Sequence, residues 1–184
     1  MKKQQRLVFA GPVGSGKTTA ISTLSDEPVI NTEAVISHEE VPIHKTHTTV
    51  ALDYGVMHLS EGHSLQLYGT PGQQHFDFIW EIAARNSIGL VLLLDAQRPA
   101  LLQDLTFFIQ AFRALIQSQG FAIGLTHTDK VQNAELLRQQ INHALEQLQL
   151  RAPVLSVDPN QREELVQLVK ALLFTLDPSL VKVG

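Results

Sequence analysis

Leu7-Val8-Phe9-Ala10-Gly11-Pro12-Val13-Gly14-Ser15-Gly16-Lys17-Thr18-Thr19-Ala20-Ile21 passes from an apolar run into a glycine-rich turn and on into a helical pattern. Gly11 to Thr18 fills every fixed position of the phosphate-binding pattern Gly-x4-Gly-Lys-Ser/Thr. The spacing has a physical reason: glycines let the backbone curl so that successive N–H groups point inward at phosphate oxygens, and the helix that follows adds its positive end. The expected phosphate contacts are Gly11, Val13, Gly14, Ser15, Gly16, Lys17, Thr18 and Thr19. Lys17 would reach the β- and γ-phosphates, and the Thr18 hydroxyl would bind the Mg²⁺ that travels with a nucleoside triphosphate. The bland reading is a glycine-rich turn with an exposed lysine; the strand before it and the helix after it weigh against that.

Composition narrows the setting. The chain has 184 residues, 44% hydrophobic and 17% charged, which suits a single domain spanning 1–184. Formal net charge is -4, and basic residues cluster only at Lys2, Lys3 and Arg6, so neither nucleic acid nor an anionic membrane is an expected partner. With no cysteine there is no disulfide, thiolate metal site or prenyl or palmitoyl anchor, and Lys2 stands where myristoylation needs glycine. The most apolar stretch, Ile88 to Leu94, is too short to span a bilayer, and the expected compartment is the cytoplasm.

Strand-like runs at Leu7 to Ala10, Val50 to Leu59, Ser64 to Tyr68, Ile88 to Asp95, Phe121 to Thr126 and Pro153 to Val157 interleave with helical patterns. The helices are expected at Lys17 to Leu24, Gln74 to Arg85, Leu101 to Gln119, Asn133 to Leu148 and Arg162 to Leu176. Leu165, Leu168, Val169, Leu172 and Leu173 recur at helical spacing, a stripe that reads as core. Interleaving and nearly continuous apolar strands predict an α/β fold: a mostly parallel central sheet in three layers, with helices on both faces and a ligand crevice at the carboxyl ends of the strands. Glu27 to Thr48 lacks clear periodicity and reads as a mobile loop.

Further motifs follow in order. Gly69-Thr70-Pro71-Gly72-Gln73 resembles the Asp-x-x-Gly-Gln segment of Ras-like small GTPases, Thr126-His127-Thr128-Asp129 resembles their Asn/Thr-Lys-x-Asp guanine reader, and Ser156-Val157-Asp158 resembles their Ser-Ala-Lys loop. The whole chain is similar to that branch of the P-loop NTPases, above all to bacterial GTPases related to the MglA polarity regulators. The resemblance implies a switch that binds GTP and GDP with Mg²⁺. Gly72 would donate its N–H to the γ-phosphate, and Gln73 would orient the attacking water as the catalytic residue. Thr126, His127, Asp129, Ser156 and Val157 would surround guanine, with Asp129 accepting from N1–H and the exocyclic amine. Thr49, or its neighbour Thr48, would complete the Mg²⁺ shell with Thr18. A Roadblock-type regulatory protein is the implied partner.

The pattern also breaks. Gly69 stands where the family has the aspartate that holds Mg²⁺ through water; Asp53 on the adjacent strand is the candidate replacement, against the reading of an exposed strand aspartate. Asp95 is the weaker candidate, better explained as a strand-end or capping residue. His127 replaces a lysine that packs along the phosphate loop, which predicts looser binding of the same base. Val13 adds volume near the γ-phosphate site, and no arginine lies between Glu27 and Val50, so intrinsic hydrolysis is expected to be slow. The competing readings are a binding module whose catalysis has decayed, and an ATPase or small-molecule kinase using the same cradle. His38, His44, His47, His58 and His63 have no ligand-pair spacing and read as surface histidines. Phe76, Ile79 and Trp80 read as core, against the reading of a switch helix that shows them to partners in one nucleotide state.

Overall fold

The computed structural model describes residues 4–36, 48–59, 62–72, 80 and 83–176, with 31–36 and 48–51 as backbone. Seven strands, β1 (Gln4–Ala10), β2 (Ile30–Ile36), β3 (Thr48–His58), β4 (Ser64–Gly69), β5 (Ser87–Asp95), β6 (Phe121–Thr126) and β7 (Val154–Ser156), form one sheet in the order β2-β3-β4-β1-β5-β6-β7. From β4 to β7 the neighbours are parallel, while β3 pairs antiparallel with β2 and with β4. The chain leaves β1 toward one edge and returns on its other side at β5, so the strand order reverses at β1 and opens a crevice above its carboxyl end.

Side-chain alternation explains why helices cover both faces. Along β1 and β5, Val8, Ala10, Leu90, Leu92 and Leu94 join one core with Trp80 and with residues of α2 (Leu101–Ala111), α3 (Arg113–Ser118) and α4 (Ala134–Gln147). Leu7, Phe9, Val91 and Leu93 join the other with α1 (Lys17–Leu24) and α5 (Arg162–Leu176). A strand whose successive side chains are all at 0% exposure must be apolar throughout, because neither face meets water. The five-residue stripe on α5 lies in the second core as its spacing predicts. The three-layer α/β architecture read from the sequence is the one the chain forms. Among the described residues, no helix is long and apolar enough to cross a membrane.

Two local expectations need correction. Ile30–Ile36, inside the stretch read as a loop, is an edge strand paired with β3 from Ile30↔Tyr54 to Ile36↔Thr48. Its polar Asn31, Thr32 and Glu33 break any hydrophobic period, and its order comes from the backbone ladder with β3, which no single segment reveals. The helix expected over Leu101 to Gln119 divides at Phe112, whose φ of -103° and ψ of 19° leave the helical region. The Phe112 ring packs on Trp80, centroids 5.8 Å apart.

The two helices of the α1/α5 layer are joined by Arg162. Its guanidinium donates to the terminal carbonyls of α1, Thr23 at 2.8 Å and Leu24 at 2.7 Å, and to Asp26 Oδ1 at 2.6 Å. Those carbonyls have no partner within the helix, and a cation there also complements the dipole. Arg162→Ala should cost about 1–2 kcal/mol, a fall of roughly 2–8 °C in Tm, with Arg162→Lys recovering only part because one ammonium cannot span the fork. A thermal melt in which the alanine variant matches the parent would show that the fork contributes nothing.

Candidate functional site

A cleft of about 600 Å³ opens at the carboxyl end of the sheet. Gly14, Gly16 and Thr19 line one wall, His127, Asp129 and Asp158 the other. The glycine-rich turn reaches it because Gly16, the residue before α1, sits at φ 90°, a left-handed conformation that costs glycine nothing. Lys17 opens the helix and is 9% exposed. Its Nζ donates to the carbonyls of Gly11 at 2.8 Å and Pro12 at 2.7 Å, which fix the ammonium inside the loop. Burial lowers its pKa from 10.5 to about 8, against an opposing pull from the Asp53 carboxylate.

Gly72 lies directly on this loop: a Cβ there would come within 2.5 Å of the Val13 nitrogen and 2.7 Å of the Pro12 carbonyl carbon. The approach is anchored at both sides. Thr70 donates from its backbone N–H (2.9 Å) and hydroxyl (3.2 Å) to Phe9 O, and the Trp80 indole N–H donates to Pro71 O at 3.1 Å. Trp80 is itself core, its ring set among Phe107, Phe108 and Phe112. Gln73, the expected catalytic residue, lies outside the described residues, as do Phe76 and Ile79.

Asp53 on β3 stands directly opposite Gly69 on β4, and the Thr18 hydroxyl donates to Asp53 Oδ2 at 2.5 Å. Any Cβ on residue 69 would fall 2.7 Å from Ile21 Cδ1 and 3.0 Å from Asp53 Cβ, so the glycine makes room for the aspartate. A hydroxyl and a carboxylate in contact at the loop are the hard oxygen donors that Mg²⁺ prefers, and they fit that ion. Thr48 and Thr49 stand in β3, paired with Ile36 and Val35, rather than in a loop.

At the far end, Thr126 is buried and its hydroxyl donates to Leu94 O at 3.3 Å, which commits it to the sheet. His127 has φ 55°; its buried Nδ1 stands 3.0 Å from Asp95 Oδ1 without hydrogen-bond alignment. Asp95 accepts from Gln97 N–H at 2.9 Å, the turn-capping role expected of a strand-end aspartate. Asp129, on the 3₁₀ turn Thr128–Lys130, is exposed and its carboxylate has no partner among the described residues. Ser156 is exposed; Val157 is buried, lines the cleft and donates its N–H to Leu125 O at 3.0 Å.

Sequence reading missed Asp158, Asn160 and Glu164 as cleft residues. Hydrogen bonds from the Asn160 N–H and side-chain amide, both 2.9 Å, hold the Asp158 carboxyl below its usual pKa. The available signal was the acidic pair Glu163-Glu164 in the first turn of α5, a common way to satisfy free amides before a helix.

A family model described as "Conserved hypothetical ATP binding protein" matches residues 9–181. The chain belongs to that family. Phosphate loop, sheet and cleft accord with it: this is a nucleotide binder of the P-loop NTPase kind. The match does not reach the finer likeness to MglA-related GTPases. One relative, "Uncharacterized protein MJ1339" of Methanocaldococcus jannaschii, is 31% identical over 105 residues, which is 56% of this chain. The chain spans 60% of that relative's length.

The state of Lys17 gives a measurable proton linkage. Between pH 8 and 10.5 the unfolded chain holds a proton that the folded, ligand-free chain has released, so stability should rise with pH across that window and be insensitive to this group below pH 8. A bound polyphosphate keeps Lys17 charged, so binding at pH 9 should take up close to one proton and binding at pH 7 close to none. Calorimetric titration in buffers of different ionisation heat reads the uptake; equal heats in all buffers at pH 9 would contradict it.

Proposed function

We propose that the chain is a small GTPase-type switch that binds Mg²⁺ with GTP or GDP, hydrolyses GTP slowly, and alters partner binding with nucleotide state. One observation carries the reading: a single cleft runs from the Lys17 loop to the unpartnered carboxylate of Asp129. A triphosphate at the loop leaves its base at that carboxylate, which accepts from guanine N1–H and the 2-amine, an edge adenine lacks.

Thr18 and Asp53 would hold Mg²⁺, which neutralises charge on the phosphate oxygens. Gly72, which lies beside Val13, would offer its N–H to a terminal phosphate, and the second loop would then differ in stance between GTP and GDP. Gln73 is assigned to water orientation; Thr49, with Thr48 the alternative, would reach the remaining Mg²⁺ position only if the start of β3 left its ladder, because four residues of strand set Thr49 about 13 Å from Asp53. Val13 would add side-chain volume beside a terminal phosphate, which supports slow turnover without an activator. A Roadblock-type partner that supplies charge could raise the rate by about 10³ to 10⁵.

A second reading, an adenine nucleotide, is favoured by the family description; competition decides between them, since ATP displacing a bound GTP analogue at similar concentration overturns the guanine assignment. A catalytically decayed module is distinguished by single-turnover assay: phosphate release absent both alone and with a Roadblock-type partner removes the enzyme reading. Asp53→Asn keeps a hydrogen-bond acceptor for Thr18 and loses the charge, so the Mg²⁺ concentration needed for half-maximal GTP retention should rise about 10- to 100-fold. An unchanged Mg²⁺ requirement would remove Asp53 from the metal site.

A further inference from the structure

The loop that follows β7 borders the base end of the cleft, and its amides are already engaged. Val157 N–H goes to Leu125 O at 3.0 Å, Asn160 N–H to Asp158 Oδ1 at 2.9 Å and Gln161 N–H to Asp158 O at 2.9 Å. Residue 159 is proline and has no N–H. Asp158 N–H donates to Glu164 Oε2 at 2.7 Å. These partners differ in kind. Leu125 O belongs to the sheet and the Asp158 acceptors to the turn itself, whereas Glu164 is an exposed side chain in the first turn of α5, able to leave by rotation. Glu164 also lines the cleft.

A purine held by Asp129 through N1–H and the 2-amine presents its 6-substituent on the same edge, just beyond that contact. A 6-oxygen is an acceptor and needs a donor; a 6-amine is a donor and is satisfied by a carboxylate. With Glu164 on the Asp158 amide, this wall offers a carboxylate where a 6-oxygen wants an N–H, and burying an acceptor unmatched is unfavourable. We propose that Glu164 is a positioning residue that sets which 6-substituent a bound purine can carry: its carboxylate occupies Asp158 N–H, and a 6-oxo purine gains that hydrogen bond only after Glu164 swings away. The proposal rests on the guanine reading above for the orientation of the base, and it adds a residue that opposes guanine inside a guanine-reading pocket. The alternative is that Glu164 only satisfies an amide before α5, in which case its loss affects every nucleotide alike.

The test is binding of GDP, ADP and 6-thioguanosine diphosphate to the full chain with Mg²⁺. The thio analogue keeps N1–H and the 2-amine but carries a poorly accepting sulfur at position 6. Glu164→Ala should strengthen GDP binding about three- to tenfold and change the thio analogue by less than about twofold. Glu164→Gln, whose amide oxygen still accepts from Asp158 N–H, should stay near the parent for both. GDP and its thio analogue shifting together, or GDP failing to tighten, overturns the proposal. The parent's preference tests the guanine reading separately: if the parent prefers ADP, Asp129 loses its assigned role and the orientation on which the proposal rests is overturned with it; if the parent prefers GDP, the shifts of GDP and its thio analogue in Glu164→Ala decide the role of Glu164 alone. Should the alanine variant not fold, the Asp158 amide resonance of the parent decides, moving with GDP and not with the thio analogue; equal movement with both counts against the proposal.

Discussion

An ammonium group buried inside a glycine-rich loop is the constraint around which this site is built. Lys17 gives up most of its hydration, and the carbonyls of Gly11 and Pro12 replace part of it. The loop curls through Gly11, Gly14 and Gly16, all at positive φ, and in that curl the Gly11 and Pro12 carbonyls meet the ammonium. Burial disfavours the charged form of Lys17, and the nearby Asp53 carboxylate offsets only part of that.

The second loop is tied to this cradle by a short chain of contacts. Thr70 fastens it to Phe9 at the end of the central strand, Gly72 touches Val13, and Trp80 holds Pro71 from the opposite core. Trp80 packs on Phe107, Phe108 and Phe112, so the phosphate end of the cleft is mechanically continuous with the α2 and α3 layer.

What the sequence reveals here follows how local each cause is. The phosphate loop was legible because its chemistry needs glycine and lysine at fixed spacing, and β5 was legible because burial on both faces forces six successive apolar residues from Gly89 to Leu94. β2 was not, because its order lies in a backbone ladder with β3 that its polar residues do not advertise. The role of Glu164 was equally hidden, since it depends on α5 bringing the residue back to an amide six positions earlier. Asp53 fell between: its strand was legible, but only the antiparallel register sets it opposite Gly69.

That register also restricts how the chain can be altered. An aspartate returned to position 69 would meet Ile21 and the existing carboxylate of Asp53, two like charges in one small space. Removing Asp53 first would leave Thr18 without its acceptor. Each single exchange carries a penalty, so positions 53 and 69 tolerate change together better than one at a time.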